Sequence, residues 1–289
     1  MKKKNFILML LIAATLALFL GYRALDAIRT DTRAPEIRLD SVTPEISVED
    51  PKSALLQGIT AVDSGDGDVT SSLVVERVEL LEDAGRLLVH YAAFDSAGNV
   101  AKAQREAKYT DYRSPRFTLE EPLVYRQGAA FDVLSDIGAT DVIDGDIQHR
   151  VRATMLTEQA IVEPGVHEVE FRVSNSLGDT VTAVLPVEVR NPEREAQLTL
   201  SQYLLYLPVN GSFNAKDYLK MYTYGEDDVD LSKGLPRGYS LKTEGKVQTQ
   251  KPGVYPVEYR VTYTIVNEQD REKDVEITGY SKLIVIVEG

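Results

Sequence analysis

Two clusters of carboxylates are the residues best suited to chemistry in this chain of 289 residues. Asp63, Asp66 and Asp68 fall within Ala61-Val-Asp63-Ser-Gly-Asp66-Gly67-Asp68. Asp141, Asp144 and Asp146 repeat that spacing within Ala139-Thr-Asp141-Val-Ile-Asp144-Gly145-Asp146. Carboxylates held this close repel one another without a cation. Several hard oxygens on a flexible loop suit calcium, which takes about 6–8 oxygen ligands. A hairpin box, Asp95-Ser-Ala-Gly98-Asn99, could bring Asp95 and Asn99 to the first cluster, and Asp31 would arrive from the preceding linker. Asp111 would hold the matching place for the second cluster. The competing reading is turn chemistry, in which Asp and Gly shape reversals and Asp caps local amides. The spacing is not that of the twelve-residue helical calcium loop.

Tyrosine is the second candidate. Ten of the 15 tyrosines lie in 198–289, and Tyr218, Tyr222 and Tyr224 flank acidic residues in a stretch with loop character. Such a cluster could stack on sugar rings or anchor a protein partner. Cross-strand aromatic pairs would use the same residues without any ligand. Catalysis finds little support. His90, His149 and His167 have no metal-ligand spacing, and the chain has no Gly-x-Ser-x-Gly elbow and no phosphate loop. No catalytic residue is therefore expected, and no cofactor other than calcium. With 45 acidic against 32 basic side chains, the chain is also not expected to bind nucleic acid.

The elements that must position these residues are strands. Pro35-Glu-Ile-Arg-Leu recurs 80 residues later as Pro115-Arg-Phe-Thr-Leu, and the hairpin box recurs as Asn175-Ser-Leu-Gly178-Asp179. Pro164-Gly-Val-His-Glu-Val169-Glu-Phe171-Arg-Val173 matches Pro252-Gly-Val-Tyr-Pro-Val257-Glu-Tyr259-Arg-Val261 at seven of ten positions. Within these segments apolar and polar residues alternate with the period of a half-buried strand. Leu87, Val89, Tyr91 and Ala93 hold the inward positions of the first copy. No sustained helical period follows residue 30. The expected fold is all-β, with tandem immunoglobulin-like β-sandwiches after an N-terminal transmembrane helix. The expected divisions are 1–29, then domains at 30–110, 111–191 and 192–289, the last divergent and without the acidic box.

The N-terminal segment is a targeting device. Lys2, Lys3 and Lys4 precede an apolar run, Phe6 to Tyr22, which Arg23 closes; residues 1–29 carry +4 and the remainder −17. Seventeen residues make about 25 Å of helix. No cleavage site fits well, so the expectation is an uncleaved signal anchor: single-pass in the cell membrane, N-terminus inside, body extracellular. The alternative is a secreted protein with the signal removed. Zero cysteines exclude disulfides and thiol chemistry in either case.

The acidic box, then Gly85-x-x-x-Val89-x-Tyr91, then Phe94-Asp95-Ser-Ala-Gly98-Asn99 resemble the bacterial immunoglobulin-like surface domain. That family is named after an insecticidal crystal protein and is related to hyalin-type repeats. The resemblance is good for 31–110, fair for 111–191 and weak for 192–289. It implies a β-sandwich module of exported bacterial proteins, usually in tandem and without catalytic activity. The expected function is a non-catalytic surface protein, a stalk or adhesion module that presents its C-terminal domain to wall polysaccharide or a surface protein. The alternative is a secreted carbohydrate-binding module or the accessory domain of a carbohydrate-active enzyme.

Overall fold

Alternating apolar residues in the repeats leave few ways to bury one face, and strands with tight glycine turns are what form. The computed structural model describes residues 2–29, 31–81, 85–156, 163–191, 195–265 and 275–289. Two compact units result, Met1–Tyr112 and Arg113–Gly289. The boundaries expected at residues 30 and 192 lie outside the described residues.

The first unit holds helix α1 (Lys2–Arg29) and strands β1 (Glu36–Leu39), β2 (Glu45–Ile46), β3 (Ile59–Asp63), β4 (Gly67–Asp68), β5 (Val74–Leu80), β6 (Arg86–Phe94) and β7 (Val100–Tyr109). One sheet has the order β1-β3-β4 and the other β2-β7-β6-β5. Ile59 and Ala61 of the first sheet and Leu87, Val89, Tyr91 and Ala93 of the second are buried. The β6–β7 hairpin turns at the Asp95–Asn99 box, where Gly98 takes a left-handed φ of 87° that other residues rarely adopt.

Helix α1 forms where the apolar run predicts it, but it does not place the chain across a membrane. Among the described residues no helix is long and apolar enough to cross one. This overturns the expected single-pass location and the helix-mediated membrane partner. The physical reason is length: Phe6 to Tyr22 provides about 25 Å against a hydrocarbon core of about 30 Å. The flanking turns of the helix carry lysine, arginine and aspartate instead.

The second unit contains β8 (Arg116–Leu119), β9 (Val124–Arg126), the single turn α2 (Val133–Asp136), β10 (Ile137–Asp141), β11 (Gly145–Asp146), β12 (Arg152–Met155), β13 (Gly165–Ser174) and β14 (Thr180–Arg190). After these come β15 (Glu195–Leu200), β16 (Leu204–Pro208), β17 (Leu219–Tyr224), β18 (Asp227–Asp230), β19 (Tyr239–Glu244), β20 (Gly253–Ile265) and β21 (Val275–Glu288). The second repeat copies the first: β11-β10-β8 and β12-β13-β14-β9 are its sheets. The third departs from that plan. Its strands form one seven-stranded sheet, β18-β17-β15-β21-β20-β19, with β16 on a further stretch of β21. A single hydrophobic core runs through the unit from Phe117 and Phe171 to Tyr222, Tyr259 and Leu283.

Candidate metal centre

The first acidic box is the turn between β3 and β4, and the hairpin box follows β6. Asp63 closes β3 and is 4% exposed. Its Oδ1 accepts the amides of Gly65 (2.6 Å) and Asp66 (2.9 Å), which hold the carboxyl below the usual range. Its Oδ2 is buried with no hydrogen-bond partner among the described residues. Asp95, 9% exposed, takes the Asn99 amide on Oδ1 and the Asn99 Nδ2 on Oδ2, both at 2.7 Å. Asn99 Nδ2 also donates to the Asp31 carbonyl at 3.0 Å, which draws the entering segment to the hairpin. Carboxylate oxygens of Asp31, Asp63 and Asp95 lie within 4.8 Å of one another.

The other carboxylates of the box point elsewhere. Asp66 accepts the Ser96 amide (2.6 Å) and hydroxyl (2.8 Å), bridging the box to the hairpin. Asp68 accepts the Thr70 amide at 2.9 Å, where a 3-10 turn begins. These are local capping roles of the kind the turn reading foresaw.

The second box has the same skeleton with different chemistry. Asp141 Oδ1 accepts the amides of Ile143 and Asp144, each at 2.9 Å. Asp144 takes the Ser176 amide and hydroxyl, and Asp146 caps Gln148. Here Asp141 Oδ2 has a donor, Asn175 Nδ2 at 3.2 Å, and Arg150 pairs with Asp144 at 2.6 Å. Asp111 accepts from Ser47 Oγ and the Val48 amide in the first unit.

The tyrosine cluster divides. Tyr222 is 1% exposed, donates its hydroxyl to the Ile277 carbonyl at 2.8 Å and meets Tyr239 edge-on. Burial pushes its phenol up to about 12. It is a core residue, and the three-tyrosine ligand surface is corrected accordingly. Tyr218 stacks on Phe213 with ring centres 5.6 Å apart, and Tyr224 alone of the three is exposed. Sequence reasoning missed a second aromatic site. Tyr125, Tyr203 and Tyr280 line a cavity of about 250 Å³ with Glu121, Arg126 and Arg190, where the second and third repeats meet.

No family model matches the chain, and no curated protein does. Among solved structures, the chain is similar to the second CBM51 domain with GlcNAc and INT domains of Clostridium perfringens ZmpB. Identity is 13%, TM-score 0.22, with 88% of this chain and 44% of that one covered. It is similar to mouse cadherin-23 EC22-24 at 12% identity and TM-score 0.21, covering 88% of this chain and 99% of that one. A ZmpB structure with the M60 catalytic domain and both CBM51 domains matches at 12% and 0.21, covering 89% and 31%. The chain thus spans less than half of either ZmpB chain. TM-scores near 0.2 do not establish a shared fold, and the functional reading rests on the residues.

Proposed function

We propose that the chain is a non-catalytic binding or spacer module of an exported bacterial protein, built from tandem repeats of which the first two are immunoglobulin-like sandwiches. The third repeat, residues 192–289, is the part presented to wall polysaccharide or to a surface protein. One observation carries this reading: the repeat motifs serve as architecture. The acidic boxes tie a turn to a hairpin in both of the first two repeats, through Asp66 to Ser96 and Asp144 to Ser176. The resemblance of those boxes to bacterial immunoglobulin-like surface domains points the same way.

The test is co-sedimentation of the full chain with purified bacterial wall fragments. Saturable binding that Tyr224→Ala weakens at least fivefold supports presentation by the third repeat. Turnover of a polysaccharide substrate by the purified chain would overturn the non-catalytic reading.

A carbohydrate-binding module is the second reading, favoured by the cavity at Tyr125, Tyr203 and Tyr280, since tyrosine faces with nearby charged groups suit sugar rings. Calorimetric titration with soluble wall saccharides separates the two. Loss of binding in Tyr125→Ala with Tyr224→Ala unaffected assigns the cavity, and the opposite pattern assigns the third repeat's surface.

A further inference from the structure

We propose that Asp31, Asp63 and Asp95 bind one divalent cation, calcium by preference, and that the second repeat carries a metal-free version of the same site. The three carboxylates stand within 4.8 Å of one another, and two of them are more than nine-tenths buried. Like charges so placed need a positive partner. The second, independent observation is the orphaned Asp63 Oδ2, a buried acceptor with no donor among the described residues. A buried polar atom left without a partner is costly, and each one calls for a reason.

Comparison of the two repeats identifies what is missing. At the place of Asp63 the second repeat has Asp141, whose Oδ2 receives Asn175 Nδ2. Asn175 is oriented by its own Oδ1, which accepts the amides of Leu177 and Asp179, each at 3.0 Å. Asp95 occupies that place in the first repeat and keeps the equivalent bond, from the Asn99 amide to Oδ1. Its other oxygen is an acceptor as well, so where the second repeat sets an N–H against a carboxylate, the first sets two acceptors together.

Three more differences agree. Gly65 borders the cluster: a Cβ there would lie 2.9 Å from Asp31 Oδ2 and 3.4 Å from Asp63 Oδ1, and the second repeat has Ile143 at that position. Arg150 compensates Asp144, whereas its counterpart near Asp66 is Ser72. The third carboxylate, Asp31, has its counterpart Asp111 on Ser47 and Val48. The first repeat therefore keeps a third carboxylate and excess negative charge where the second has an isoleucine side chain and compensating groups.

Oxygen-only ligands exclude soft metals, and a loop that sets no octahedral frame favours calcium over magnesium. Because Asp31 belongs to the segment that leads into β1, a bound ion would clamp that segment to the box and the hairpin. This inference is independent of what the module binds.

The test is calorimetric titration of the chelator-stripped full chain with calcium and, separately, magnesium. One calcium per chain is expected, bound at least tenfold tighter than magnesium. Asp95→Asn should abolish calcium binding, because a carboxylate oxygen aimed into the cluster is replaced by an N–H donor as in Asn175 of the second repeat. Gly65→Val should abolish binding, and Asp141→Asn should leave it unchanged. No binding, two ions per chain, binding retained in Asp95→Asn, or binding lost in Asp141→Asn would each overturn the proposal.

Discussion

At the scale of single residues, a few buried polar groups have effects that can be measured. Tyr222 donates to the Ile277 carbonyl inside the core, so Tyr222→Phe should destabilise by about 1 kcal/mol. Tyr222→Ala should cost about 3–5 kcal/mol, since an aromatic core side chain is lost; denaturant midpoints of the second unit check both. Asp144 gives a pH prediction. Burial alone would raise its carboxyl, yet the Ser176 hydroxyl and amide and the Arg150 guanidinium outweigh it and hold the carboxyl below the usual range. A depressed folded-state value means stability that is present above the unfolded-state pKa of about 3.9 and lost as the pH falls through the folded one. Ser176→Ala should therefore move the acid unfolding midpoint of the second unit to higher pH in a circular-dichroism titration. The meeting of Asp31, Asp63 and Asp95 was legible because strand ends and hairpin boxes carry fixed spacings. The burial of Tyr222 was not. Pairing of β15 with β17 slips between Thr199 and Leu200, and that irregularity puts Leu219 and Tyr222, three apart, on the inward face. Strict alternation cannot foresee a bulge.

Strands and hairpins are where the sequence spoke most clearly, since inward residues of β6, β13 and β20 all lie in the core. The 3-10 turn Lys52–Leu56 was not legible, because its support comes from far along the chain. Arg105 on β7 donates to the carbonyls of Leu55 (3.0 Å) and Gln57 (2.9 Å) and pairs with Asp40 at 2.9 Å, while Tyr91 donates to Leu55 as well. Arg105→Leu should destabilise the first unit by about 2–3 kcal/mol, because charge-assisted bonds to buried carbonyls are lost. Thermal unfolding of the variant measures it. In the third repeat, Gly279 on β21 lies where a Cβ would come within 3.2 Å of the Ala196 carbonyl, Leu198 and Tyr222. Gly279→Val should press β15 away from β21 and cost about 1–3 kcal/mol, read from chemical denaturation.

Across the whole molecule, an 80-residue repeat suggests three equal bodies, whereas contacts divide the chain into two units. The periodicity of a sequence reports what each repeat buries internally; it is silent about side chains shared between repeats. Here Glu188 of β14 accepts from Lys282 and Tyr280 of β21, and Tyr206 accepts the Phe117 amide at 2.9 Å. Lys282 is buried and its other carboxylate, Glu258, stands 4.0 Å away, so Glu188→Ala removes the close partner and should destabilise the second unit by about 3 kcal/mol. Differential scanning calorimetry should show that transition falling while the one belonging to the first unit stays in place. The parallel strand pairs have a further, mechanical consequence. In each repeat an early short strand runs alongside the last one: β2 with β7, β9 with β14, β16 with β21. Pulling on a repeat through its ends loads such a pair along the strand axes, so its hydrogen bonds resist together in shear instead of peeling one at a time. The pairs hold two, three and five matched positions in chain order. Under steady extension of the full chain the first unit, with the shortest such pair, should therefore yield before the second.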